Sequence, residues 1–214
     1  ALLAISRELA KFEKDELKGI FQRSPHTLGA IATAACKGHS DALLAISREL
    51  AKFEKDELKE IFQRSLHTLN EIAHAVGKGY PDALNAISGQ LASFSKEELE
   101  GIFQRSPHTL DNISWAACEG HPDALNSISG HLISFTKEEL LEIFQNSPDT
   151  LQEIAFAACE GHPDALSAIS TKLRSFTKKE LMEIFQNSPY TLNEIANAAC
   201  KGHSNALSAI STKL

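Results

Sequence analysis

Four cysteines, Cys36, Cys118, Cys159 and Cys200, each stand three residues before a histidine, at His39, His121, His162 and His203. A thiolate and an imidazole at that spacing form half of a zinc site. The next such pair lies a whole repeat away, roughly 10 Å if helices stack at their usual separation. One metal ion does not span that gap, and neither does a disulfide, whose Cα atoms must approach within about 7 Å. The pattern therefore reads as a small packing residue near a helix end, followed by a histidine where the helix dipole tolerates positive charge. No metal and no cofactor is expected. Retained free thiols suit a reducing compartment.

Catalysis needs different groups converging on one cleft. Every candidate His, Glu or Ser here recurs at the same register in several copies, which spreads the groups along a rod. No P-loop, GxSxG, HExxH or Rossmann glycine pattern occurs. The chain is read as a non-enzyme. The unvaried polar residues are Lys14, Lys55, Lys96, Lys137 and Lys178, with Gln22, Gln63, Gln104, Gln145 and Gln186. They suit ladders against a ligand backbone, although recent duplication alone accounts for their sameness.

The elements that carry these groups repeat. ALLAIS begins at Ala1 and Ala42, ALNAIS at Ala83, ALNSIS at Ala124, and ALSAIS at Ala165 and Ala206, a step of 41 residues each time. The 214 residues form one array, with repeats at 1–41, 42–82, 83–123, 124–164 and 165–205 and a partial sixth at 206–214. A fixed period of this size marks units that bury their apolar faces against neighbours.

Each unit reads as three helices. The first, from Pro81-Asp82-Ala83 through Phe94, places Leu84, Ile87, Leu91 and Phe94 on one face and Asn85, Gly89 and Ser93 on the other. The second starts at capping boxes, Ser95 with Glu98, Thr136 with Glu139 and Thr177 with Glu180. The third is expected to start at Ser106-Pro107, Ser as N-cap and Pro in the first turn, and to stop before Gly120. Leu110, Ile113, Ser114 and Ala117 line its inner face. The second repeat departs slightly, with Leu66 for the Pro and Gly77 for the Cys. The expected fold is all-α: a right-handed superhelical solenoid of five 41-residue three-helix repeats plus a partial sixth.

A three-helix unit of this length resembles the armadillo class of α-solenoid, with Pumilio-type RNA-binding repeats as a shorter relative. The resemblance covers the whole chain through its period and helix count. The stretch from Ser65 to Ser88, with Ile72-Ala73, a Gly and then Ala83-Leu84, and in other copies a Pro near the helix start, locally resembles the TAL-effector DNA-binding repeat. That family's base-reading pair falls here on Ala34-Ala35, Ala75-Val76, Ala116-Ala117, Ala157-Ala158 and Ala198-Ala199. These hardly vary, so its code does not transfer.

Among such similar copies, the differences mark surfaces that are free to change or were selected to. On the third helix they are His26, His67, His108, Asp149 and Tyr190 in one register and Thr33, His74, Trp115, Phe156 and Asn197 seven residues later. Both registers share one face, with Gly29, Asn70, Asp111, Gln152 and Asn193 at its margin. The face is expected to point away from the packing, because a Thr-to-Trp exchange inside a contact overpacks it. Neutral drift is the bland reading. Trp115 and Phe156, in adjacent repeats, are costly for an idle surface and typical of binding anchors.

Composition narrows the partner. The chain is 43% hydrophobic and 23% charged, with 21 Lys+Arg against 28 Asp+Glu. Residues 83–164 carry 3 basic side chains against 13 acidic. Phosphate backbones want Lys and Arg, so a protein or a basic peptide suits the aromatic stretch better. The alternative is a modular nucleic-acid reader, RNA or DNA, in which the His, Thr and Asn residues hydrogen-bond while Trp115, Phe156 and Tyr190 stack on bases. No membrane span is expected. The reading is of a soluble protein in a reducing compartment, cytoplasmic, nuclear or delivered into a host cell. The two ends are complementary, with Leu207, Ile210 and Leu214 over the fifth repeat, so head-to-tail self-stacking at high concentration is expected.

Overall fold

A computed structural model describes residues 7–214. Among these the structure is all-helical, a regular array of helical repeats with no strand. Beyond a helical stretch at residues 7–9 come α1 (Lys14–Arg23), α2 (Thr27–Cys36), α3 (Asp41–Leu50), α4 (Lys55–Arg64), α5 (Thr68–Val76), α6 (Asp82–Leu91), α7 (Lys96–Arg105), α8 (His108–Cys118), α9 (Asp123–Leu132), α10 (Lys137–Asn146), α11 (Thr150–Cys159), α12 (Asp164–Leu173), α13 (Lys178–Asn187), α14 (Thr191–Cys200) and α15 (Asn205–Ser211). No helix is long and apolar enough to cross a membrane, among the described residues. Contacts group the chain into two compact units, one through Phe94 and one from Ser95 to Leu214.

Within each unit like stacks on like. In the first, α3 meets α6, α1 meets α4 and α2 meets α5; in the second, α9, α12 and α15 form one column, α7, α10 and α13 another, and α8, α11 and α14 a third. The first helices end three residues earlier than the sequence suggests, at Leu91 rather than Phe94. Phe94 turns inward after the helix and is buried with Leu84, Ile87 and Leu91. Its ring lies 6.3 Å from Phe62, and Phe21–Phe53, Phe103–Phe135 and Phe144–Phe176 repeat the pair at 6.1 to 6.3 Å. Tilted and edge-on aromatic pairs at such distances add to area burial, and each one joins a second helix to the turn that follows the first helix of the next repeat.

The capping boxes form as the sequence predicts. Ser95 Oγ accepts from the Glu98 N–H at 3.3 Å while Glu98 accepts from the Ser95 N–H at 2.8 Å, and Thr136–Glu139 and Thr177–Glu180 repeat the exchange. The third helices stop as expected. Gly120 takes φ +90°, a conformation open to glycine, and the His121 N–H reaches back to Ala116 O at 3.0 Å in a Schellman closure.

Their starts are different from the expectation. Ser106 is the C-cap of α7, its N–H bonded to Ile102 O at 2.9 Å, and α8 begins only at His108. The Ser side chains Ser65, Ser106, Ser147 and Ser188 are buried in this turn rather than capping the helix that follows.

The unvaried lysines and three of the five glutamines make contacts between repeats. Lys14 and Lys18 both pair with Glu57, Lys96 with Glu139 and Lys137 with Glu180, at 2.7 to 2.9 Å. Lys96 and Lys137 also sit 5.7 and 6.0 Å over the Phe135 and Phe176 rings. Gln22, Gln104 and Gln145 donate to Glu60, Glu142 and Glu183 one repeat on. Burial opposes ionisation of Glu57, yet Lys18 and Lys14 outweigh it and hold its carboxyl down at about 2.

Candidate functional site

The variable registers of the third helices lie along the junctions between repeats, and this corrects the expectation of a face turned fully away from the packing. His26 Nδ1 pairs with Ser65 Oγ at 3.1 Å, His108 Nδ1 with Ser147 Oγ at 3.2 Å, and Ser188 Oγ donates to Asp149 Oδ1 at 2.9 Å. Each links the start of one third helix to the buried Ser of the next repeat. These residues keep exposed ring or carboxylate edges, as does His67. Tyr190 is 68% exposed.

The marginal register turns further in. Gly29 is buried, and a Cβ there would stand 3.1 Å from Thr68 Oγ1. Asn70, Asp111 and Gln152 are half-buried, and Ser188 Oγ also donates to Gln152 Oε1 at 3.0 Å. Only Asn193 is exposed, again on the last third helix.

The second register lies between these extremes. Thr33, His74 and Trp115 are half-buried, Phe156 is 38% exposed and Asn197 is exposed. Stacking of α8, α11 and α14 brings Trp115, Phe156 and Tyr190 together around an open groove of about 290 Å³, completed by Gln152, Glu153 and Glu194. In the first unit, His26, Gly29, Thr33 and His67 share a groove of about 490 Å³ with Arg64 and Glu71. His108, Asp111 and Asp149 adjoin the aromatic groove without lining it. His74, Asn70, Asn193 and Asn197 line neither.

Glu71, Glu153 and Glu194 were missed by attention to the most varied positions. They share one register, which holds Ala30 and Asn112 in the other copies, and that variation was the available signal. Glu153 and Glu194 give the aromatic groove its charge, and Glu71 lines the groove of the first unit. Burial, with the carboxylates of Asp111 and Asp149 adding to it, pushes Glu153 up to about 7. Burial and Asp149 push Asp111 up to about 6 despite His108 at 3.8 Å. Removing carboxylates from water beside one another disfavours their charged forms.

Three of the four cysteines serve the same junctions, and Cys200 is exposed. Cys36 donates to Glu71 O at 3.9 Å, Cys118 to Glu153 O at 3.7 Å and Cys159 to Glu194 O at 3.5 Å. Burial first, then the neighbouring glutamate, pushes these three thiols up. They are the reverse of activated nucleophiles, which need a depressed value. No protein-family model, curated protein or solved structure matches this chain.

Proposed function

We propose that the chain is a non-enzymatic, armadillo-like repeat scaffold that binds a basic peptide or protein segment along its third helices. One observation carries the reading: three aromatic side chains from three successive repeats, Trp115, Phe156 and Tyr190, surround a groove whose polar lining is Gln152, Glu153 and Glu194. Aromatic faces attract Lys and Arg side chains. Carboxylates that burial holds above their usual range gain from a cation beside them. A partner that supplies alternating cationic and apolar side chains meets both demands, while a phosphate backbone meets carboxylates of its own sign.

The test is a pair of truncations. Trp115→Ala and Phe156→Ala should remove binding of Lys/Arg-rich peptides and leave the helical content unchanged. The half-exposed position of both side chains limits their structural cost to about 1 kcal/mol each. Loss of cooperative melting on the scale of a core truncation would make these residues packing elements and remove the support for the groove.

A further inference from the structure

The third-helix junctions of repeats 1–2, 3–4 and 4–5 all bring a cysteine of one repeat against the glutamate of the next, through Cys36–Glu71, Cys118–Glu153 and Cys159–Glu194. In the second unit the thiols also approach the carboxylates, Cys118 Sγ lying 3.9 Å from Glu153 Oε2 and Cys159 Sγ 4.0 Å from Glu194 Oε2. What differs is the residue three positions after the glutamate. It is His74 in the first junction, Phe156 in the second and Asn197 in the third. Residues three apart share a helix face, so the histidine stands beside the thiol and the carboxylate.

At that junction a thiol sulfur of Cys36, a carboxylate oxygen of Glu71 and a ring nitrogen of His74 all lie within 4.8 Å of one another, and all three residues are half-buried. No other group of three metal-ligating side chains is so close among the described residues. We propose that Cys36, Glu71 and His74 bind one zinc ion, which staples α2 to α5. The ligand types select the metal: magnesium and calcium take oxygen donors, whereas one sulfur, one nitrogen and one oxygen suit a borderline-soft cation such as zinc. Bonds of about 2.0 to 2.3 Å in a tetrahedron separate ligand atoms by roughly 3.3 to 3.8 Å, so the three side chains need close by no more than about 1.5 Å. Thr33 Oγ1, whose one proton is shared between Gly29 O at 2.9 Å and Glu71 Oε2 at 3.1 Å, lies against the carboxylate. A hydroxyl against a ligating carboxylate is an outer-shell contact of the kind metal sites use. Three protein ligands leave a fourth position for water.

The thiol-to-histidine spacing is thus read differently in three dimensions. The partner of Cys36 is not His39, which is exposed past the helix end, but His74 from the following repeat.

The experiment titrates the full, reduced, metal-free chain with cobalt(II), whose bond to a thiolate gives a charge-transfer absorption, and then displaces it with zinc. One equivalent should bind saturably, zinc should bleach the band, and the zinc-loaded chain should melt at a higher temperature. Cys36→Ser and His74→Asn should abolish the band and the thermal shift, while Cys118→Ser keeps both. Asn197 occupies the His74 register in the fifth repeat, so His74→Asn is compatible with the fold, and circular dichroism verifies that it has folded. Absence of a saturable band in the wild-type chain would overturn the site. So would a band that persists in His74→Asn or disappears in Cys118→Ser, since other thiols would then hold the metal.

Discussion

Ser188 Oγ donates to Asp149 Oδ1 at 2.9 Å across 39 residues of chain. The bond joins a varied position to an unvaried buried serine, and His26–Ser65 and His108–Ser147 make the equivalent link. At these three junctions the varied residue is one that can hydrogen-bond the serine. Asp149→Ala leaves Ser188 with Gln152 alone and should destabilise the second unit by about 1 kcal/mol or more. Tyr190→Ala, at the same register but 68% exposed, should change the melting free energy by less than about 0.5 kcal/mol. Equal costs in denaturant melts would separate the register from the serine.

Buried hydroxyls recur in a second way. Thr68, Thr109, Thr150 and Thr191 each bury Oγ1 without a hydrogen-bond partner. A buried unsatisfied hydroxyl costs on the order of 1 kcal/mol or more, and a shape-conserving apolar replacement removes that cost. Thr150→Val should raise the denaturation midpoint. A fall would mean that Thr150 Oγ1 finds a partner in solution.

Acidification should stabilise the second unit. Asp111 at about 6 and Glu153 at about 7 hold their protons more tightly folded than unfolded. Stability therefore falls as pH rises from about 4 through 7. The ion-paired Glu139 and Glu180 are held below the usual range, so their stabilisation is complete above it and does not offset this trend. The melting temperature should drop between pH 5 and pH 8, and Glu153→Gln should flatten the slope. A stability that climbs over that interval would contradict the burial of these carboxylates.

The same linkage reaches binding. A cationic peptide favours the ionised forms of Glu153 and Asp111, so near pH 6.5 its association should release protons and its affinity should rise toward pH 8. Calorimetry in buffers of different ionisation enthalpy measures the release. Proton uptake on binding would place the peptide elsewhere.

The local features were readable from the residues. Ser95 with Glu98 announces a helix start, Gly120 a helix end, and Leu84, Ile87 and Leu91 an inward face, because each depends on neighbours within one turn. Ser106-Pro107 misled because a serine before proline fits both an N-cap and the turn that closes the preceding helix; the Ile102 carbonyl decides it. Burial of Gly29 and Asp111 depends on where the next repeat stacks, and no single helix encodes that. The groove was half legible. Trp115, Phe156 and Tyr190 stand out by type, whereas Glu153 and Glu194 matter through contacts one repeat away. The ends show the same limit: Ile210 is buried as expected, but Leu207 is half-buried and Leu214 is 45% exposed. The opposing edge, at Ala1 and the residues after it, lies outside the described residues.

Trp115 is the single tryptophan of the chain and lines the aromatic groove, so its fluorescence reports on the proposed site directly. The decisive measurement titrates the chain at fixed salt with an amphipathic Lys/Leu peptide, an acidic peptide of equal length, and single- and double-stranded oligonucleotides. A saturable shift in emission with the basic peptide alone, lost in Phe156→Ala, is the expected result. A shift produced by the oligonucleotides and abolished by added salt, with none from the basic peptide, would contradict the account and make the third-helix face a nucleic-acid reader.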